Sequence, residues 1–170
     1  LSNDDSPIAI ANAMAVGIKK YSKILKKLNP NMILILGDRY EIFAVAIAAM
    51  ILNIPISHIH GGESTEAMID ESIRHSLTKM SYFHFVAAED YKKRVIQLGE
   101  HPDRVFLVGG LGIDSIKNTN CLTKKELELE YKVKMNKTSL MVTLHPVTLE
   151  RENNQIIVNE LLGALENFSA

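Results

Sequence analysis

Five short apolar runs alternate with stretches of helical spacing, and that alternation limits the fold more than any other feature. The runs are Met32–Leu36, Pro55–Ile59, Tyr82–Ala87, Val105–Val108 and Ser139–Leu144. Four end at chain punctuation: Gly37, Gly61-Gly62, Gly109-Gly110 and His145-Pro146. Continuous apolar runs of this length are what strands buried on both faces look like. Between them, residues 8–28, 40–52, 69–81, 90–98 and 123–132 space their apolar residues as helices do. In residues 69–81 the stripe is Ile69, Ile73, Leu77 and Met80, and residues 40–52 are apolar all round, which predicts deep burial. The reading is an α/β fold with a Rossmann-like, doubly wound parallel sheet. With 170 residues the chain is long enough for a real core.

Composition removes several function classes. Lys and Arg number 19 against 20 Asp and Glu, giving a net charge of -1 with dispersed basic residues. Neither nucleic acid nor an anionic membrane finds a general attraction there. Aromatic residues are 6% and Trp is absent, so no base-stacking platform is expected. The longest apolar run, Ile42 to Ile56, is interrupted by Asn53 and Pro55 and is too short to span a bilayer. A single cysteine, Cys121, rules out an internal disulfide and fits a reducing cytoplasm. The first residues do not form a signal peptide, the chain lacks an initiator Met, and it stops inside a helical pattern. These ends give the expectation of a central piece of a longer protein, inactive by itself. The polar segment 117–137 reads as a crossing between a first domain, 1–116, and the start of a second, 138–170.

Ligands of open parallel sheets bind beyond the carboxyl ends of the strands. Gly37-Asp38-Arg39 follows the first run, His60-Gly61-Gly62-Glu63 the second, and His145 the fifth. Asp38 reads either as a cap for the next helix or as a general base. Arg39 offers a diphosphate the two parallel donors of its guanidinium. His58, His60 and Glu63 read as backbone-bonded groups, as catalytic groups, or as a metal set, although no further ligand cluster accompanies them. Gly61 and Gly62 leave room for a ligand near the backbone. Asp70 and Glu71 open a helix, with Arg74 on the same face as Asp70. They read as an acidic helix start with a solvated Arg, or as proton-transfer groups whose pKa values are split by their neighbours. His145 reads as a packed loop histidine or as a diphosphate donor or acid. His84 and His101 read as structural, and Tyr91-Lys-Lys-Arg94 as a solvated helix face.

Several strings together resemble the hydrolysing UDP-N-acetylglucosamine 2-epimerases. They are LGDRYEIFAVAIAA (36–49), IPISHIHGGE (54–63), DESIRHSLTKMS (70–81), YKKRVIQLGE (91–100) and LHPVTLE (144–150). The resemblance implies two Rossmann-like domains in the GT-B arrangement, a UDP-sugar substrate, no metal or redox cofactor, and a homodimer. It implies elimination of UDP with loss of the C2 proton to give a 2-acetamidoglucal, then hydration to N-acetylmannosamine, in sialic acid biosynthesis. It places active-site roles on Asp38, Asp70, Glu71, Arg74 and His145, with Arg39 near the diphosphate. A further role, carried by Glu in many relatives, falls on His60 or on Glu63. The alternatives are a hydrolysing epimerase of UDP-N,N'-diacetylbacillosamine, a non-hydrolysing epimerase, and a non-catalytic nucleotide-sugar binding module.

Overall fold

Ser6 starts the first helix: its hydroxyl accepts the Ala9 amide at 3.3 Å, and Pro7 fills the first turn. Helix α1 (Pro7–Leu28) ends where Asn29 takes the left-handed conformation. The computed structural model describes residues 6–65, 69–145 and 153–168. Strands β1 (Ile33–Leu36), β2 (Ile56–Ile59), β3 (Phe83–Val86) and β4 (Val105–Leu107) then alternate with α2 (Tyr40–Ile51), α3 (Ile69–Met80) and α4 (Glu89–Gln97). The strands pair in parallel, in the order β1-β2-β3-β4. Each expected strand and helix through residue 108 is present within a residue or two of its expected bounds.

The register explains which side is buried. Ile35, His58, His84 and Val105 lie abreast on one face, with Ile56 and Val86 on the same side. That face meets the helices in two cores: Ile35 and Ile56 with the alanines of α2 and with Ile73 and Leu77 of α3, and Val86 and Val105 with Val95 of α4. Helices α1 and α2 pack closely because small residues meet. A Cβ on Gly17 would stand 3.1 Å from that of Ala44. The opposite face carries Leu34, Leu36 and Phe106, all exposed, with Phe85 stacked on Phe106. Among the described residues the strand order never reverses and helices cover one face. The doubly wound arrangement is therefore not seen within them.

Two other expectations change. Helix α2 is buried through Ala44, Ala46, Ala48 and Ala49, but Met50 and Ile51 face solvent. Ile69, at the head of the α3 stripe, is likewise exposed. The chain forms two compact units, Leu1–Ile113 and Asp114–Ala170. Helix α5 (Leu111–Asn118) straddles the boundary, and α6 (Lys124–Tyr131) and α7 (Asn154–Glu166) belong to the second unit. Thr123 and Glu126 build a capping box at α6. Residues 139–144 do not form the expected strand: a strand exists only by pairing, and no described segment of the second unit pairs with them. No helix of the described residues is long and apolar enough to cross a membrane.

Candidate active site

The first unit gathers its chemistry where β1 and β2 end and α3 begins. Gly37 closes β1 at φ 85, a conformation that glycine adopts without strain. Asp38 then points at α3 instead of capping α2. The N-cap of α2 is Arg39, with no side-chain cap bond. The cap reading of Asp38 thus gives way to a long-range contact, since Arg74 offers a full positive charge.

Arg74 is the hub. Its side chain is 4% exposed, and each of its five N–H groups has an acceptor. Nε donates to Asp38 Oδ2 at 2.8 Å, and Nη2 donates to the same oxygen. Nη1 donates to Glu71 Oε2 at 2.7 Å and to the Glu63 carbonyl at 3.1 Å. Nη2 also reaches Thr65 Oγ1 at 3.1 Å. A buried guanidinium is tolerated only when it is fully bonded in this way. The solvated Arg74 of the plain sequence reading is therefore wrong.

The carboxylates around the hub differ. Glu71 is taken up completely: Oε2 by Arg74 and the Thr65 amide at 2.7 Å, Oε1 by the Ser64 hydroxyl at 3.2 Å and by His75 Nε2 at 3.0 Å. Burial opposes its charge, but the Thr65 amide, Ser64 and His75 outweigh burial and hold it below the usual carboxylate range. Asp70 accepts no hydrogen bond from the described residues. Burial, and then the charge of Asp38, push its pKa up. Asp38 itself keeps Oδ1 free of hydrogen bonds from the described residues.

The segment after β2 turns sharply. His60 sits at φ 67, and its Nδ1 lies 2.8 Å from Glu63 Oε1. His58 and His60 therefore do not share a face. His58 is fully buried against the helices and bonds the Gly37 carbonyl, so the His58–His60–Glu63 set does not converge. Among the described residues, no three His, Cys, Asp or Glu side chains gather as metal ligands. The space opened by the glycines is filled by protein. A Cβ on Gly61 would stand 3.1 Å from both His58 Nδ1 and Thr78 Oγ1, and one on Gly62 would collide with the backbone of Tyr91 in α4.

Arg39 is exposed, with its Nε donating to Glu41 at 3.3 Å and its guanidinium 5.7 Å from the Tyr40 ring. His145 lies in the second unit and is exposed. Arg94, read from sequence as part of a solvated face, instead donates to the Gly62 carbonyl and holds that turn. Its position gave no sign of this, because the acceptor lies 32 residues away. His84 is structural, with Nε2 3.1 Å from Glu100 Oε2. His101 accepts the Asp103 amide and caps a short turn, Pro102–Arg104. Thr65 and His75 were also missed, since neither stands out until α3 is folded.

The model of the UDP-N-acetylglucosamine 2-epimerase family matches residues 1–170. The chain is 45% identical over 168 residues to the GDP/UDP-N,N'-diacetylbacillosamine 2-epimerase (hydrolyzing) of Campylobacter jejuni, covering 99% of this chain and 44% of that protein. It is 45% identical over 166 residues to polysialic acid biosynthesis protein P7 of Escherichia coli, covering 98% and 42% respectively. The chain thus spans under half the length of these relatives. Its fold is like that of the UDP-GlcNAc 2-epimerase from Neisseria meningitidis bound to UDP-GlcNAc. The TM-score is 0.63 at 23% identity, over 78% of this chain and 37% of that one. The long shared strings, the family match along the chain and the parallel sheet agree: the chain belongs to the UDP-N-acetylglucosamine 2-epimerase family.

Proposed function

We propose that the protein carrying this chain is a hydrolysing 2-epimerase of a UDP-linked 2-acetamido sugar, releasing UDP and the C2-inverted free sugar. The observation that carries the reading is the Arg74 hub, which holds Asp38 and Glu71 while Asp70 takes no hydrogen bond from the described residues and is raised in pKa. Removing a weakly acidic C–H needs an unencumbered base whose pKa lies toward neutrality. Asp70 takes no hydrogen bond from the described residues, and burial with the charge of Asp38 shifts its pKa upward. In the first step Asp70 takes the C2 proton. The C–H electrons form the C1–C2 double bond, and the diphosphate leaves C1 with its bonding pair. Asp70 passes its proton to solvent. Water then bonds C1 through its oxygen, the C1–C2 π electrons take a proton at C2 on the other face, and the proton that water gives up replaces the one delivered. Inversion requires a second group there, and Asp38 Oδ1 is open for it. Glu71 and Arg74 are the frame, with no bonding capacity left over for proton transfer or phosphate. Arg39, exposed and cationic, is assigned to the diphosphate, and His145 shares that role on the resemblance. His60 and Glu63 shape the mouth as a bonded pair, while Gly61 and Gly62 place their turn. The two-domain division at 117–137, a cytoplasmic location and a homodimer belong to the same proposal.

UDP-N-acetylglucosamine, giving N-acetylmannosamine, is the first substrate to test. UDP-N,N'-diacetylbacillosamine is the second, supported by the names of relatives from Campylobacter jejuni and Legionella pneumophila. The test incubates the intact protein with each sugar in deuterated water and follows the products by NMR. Free UDP with a sugar deuterated at C2 is the expected outcome. A UDP-sugar epimerised without release of UDP would replace the hydrolysing reading, and binding without turnover of either sugar would leave a non-catalytic module.

A further inference from the structure

His58 is the one group in the His-x-His string that the proposed chemistry does not use, and it is fully buried. On β2 it lies abreast of Ile35 and His84. Its Nε2 is 2.8 Å from the Gly37 carbonyl oxygen. A carbonyl only accepts, so Nε2 carries the hydrogen and Nδ1 is bare. Nδ1 has no partner. The nearby Thr78 hydroxyl is committed to the Arg74 carbonyl at 3.1 Å. One nitrogen is therefore left unsatisfied while the other makes a single bond to the residue before Asp38.

That bond acts on more than Gly37. The Gly37 carbonyl shares one rigid peptide plane with the nitrogen and Cα of Asp38. Holding the oxygen fixes the plane from which the Asp38 side chain departs. The Gly37 amide is tied as well, donating to Ile59 O at 3.3 Å. Both backbone groups of a residue with wide conformational freedom are thus pinned to β2. Burial holds the imidazole neutral, with its pKa lowered from 6.5 to about 4. A cation there would set a second positive charge near Arg74.

We propose that His58 is a positioning residue, which orients the Gly37–Asp38 peptide so that Asp38 meets Arg74 and its free oxygen faces the reacting sugar. The proposal rests on the role given to Asp38 above. The experiment compares His58→Leu, which removes the donor, with His58→Gln, whose amide nitrogen reaches about as far as Nε2, in the intact protein. Turnover of the UDP-sugar and the slowly exchanging Nε–H signal of Arg74 by 15N NMR are both read. His58→Leu is expected to lower kcat about 10²-fold, as small misplacements of catalytic groups do, with KM within about threefold. It also loses the protected Arg74 signal, and His58→Gln restores both. If His58→Leu does not fold, His58→Asn, whose amide falls short of Gly37, takes its place with the same expectation. Wild-type kcat in the donorless variant, or an equal loss in His58→Gln, overturns the positioning role. A wild-type protein that turns over no UDP-sugar overturns the functional reading instead, and the Arg74 signal still decides whether His58 orders the Asp38 pair.

Discussion

Helix α3 carries a buried charge network at each end, and the two are built on opposite plans. Near its start a cation is central: Arg74 gives all five N–H groups to acceptors from three separate segments. Near its end a carboxylate is central: Glu100 gives one oxygen to Lys79 and the other to His84. The second network uses both carboxylate oxygens of Glu100, while His84 Nδ1 makes no bond with the described residues. Burial opposes the charge of Glu100, but Lys79 and His84 outweigh it and hold its pKa down. The first network leaves something over, because Asp70 stands beside it with a raised pKa and no hydrogen bond from the described residues. A balanced network serves the fold. A network with a surplus acid at an open strand end can serve a reaction.

The hardest test of that contrast removes each cation. Arg74→Met strips Asp38 and Glu71 of their shared donor and leaves two half-buried acids without the buried cation between them. Losses of about 3–5 kcal/mol in denaturant unfolding are expected. Turnover should fall about 10³-fold, in line with the removal of a preorganised electrostatic group. Lys79→Met removes a half-exposed partner, so unfolding should change by about 1 kcal/mol or less. Equal effects of the two variants on turnover would erase the distinction between the ends.

Asp70→Asn sharpens the same contrast within the first network. The substitution keeps shape and removes the base, so turnover should fall about 10²-fold or more. Unfolding should move by less than about 0.5 kcal/mol, because no bond is lost from the described residues. Glu71→Gln should do the reverse, with stability suffering first. An active Asp70→Asn protein would return the proton transfer to Asp38 or Glu71.

The sequence made the ends of the strands legible but not the bonds between them. Period and punctuation located β1 to β4, although the expected burial on both faces is not seen among the described residues, where Leu34, Leu36 and Phe106 are exposed on the face away from the helices. The same logic failed at Ser139–Leu144, where the apolar run has no neighbour to pair with among the described residues. Asp38, Asp70, Glu71 and Arg74 were singled out from their places after strands and at a helix start. Their division into frame and reactive group was not legible, since it depends on contacts such as Arg74 to Asp38 across 36 residues. Arg94 was misread for the same reason: local charge spacing describes a helix face but not the carbonyl that folds against it.

Acid should expose the paired imidazoles in the middle of the sheet. Unfolded, His58 takes a proton near pH 6.5; folded, it stays neutral until pH falls to about 4. Through that window the unfolded chain binds more protons, so stability is full above pH 6.5 and declines as pH falls. The shift corresponds to a loss on the order of 3 kcal/mol by pH 4. Burial also lowers the pKa of His84, against the pull of Glu100, which adds a loss of the same sign. Urea unfolding from pH 7 to pH 4 checks this. His58→Gln should flatten the slope between pH 6.5 and about pH 5, and His58→Gln with His84→Gln should flatten it further. Below about pH 5 the share of Glu71 and Glu100 is left, because their pKa values are lowered. An unchanged slope in the double variant would place the acid sensitivity in the carboxylates.

Glu100→Gln is the mildest probe and isolates the far network. The amide keeps the shape and one hydrogen-bonding oxygen, but surrenders the charge that faces Lys79 and His84. A stability loss of about 1 kcal/mol is expected, the difference between a charged and a neutral hydrogen-bond acceptor. Turnover should remain within about twofold, because the bonds broken lie at the opposite end of α3 from Asp38 and Asp70. If turnover fell with stability intact, α3 would have to carry strain from one end to the other. The Glu100 network would then be part of the machinery that the Arg74 network displays.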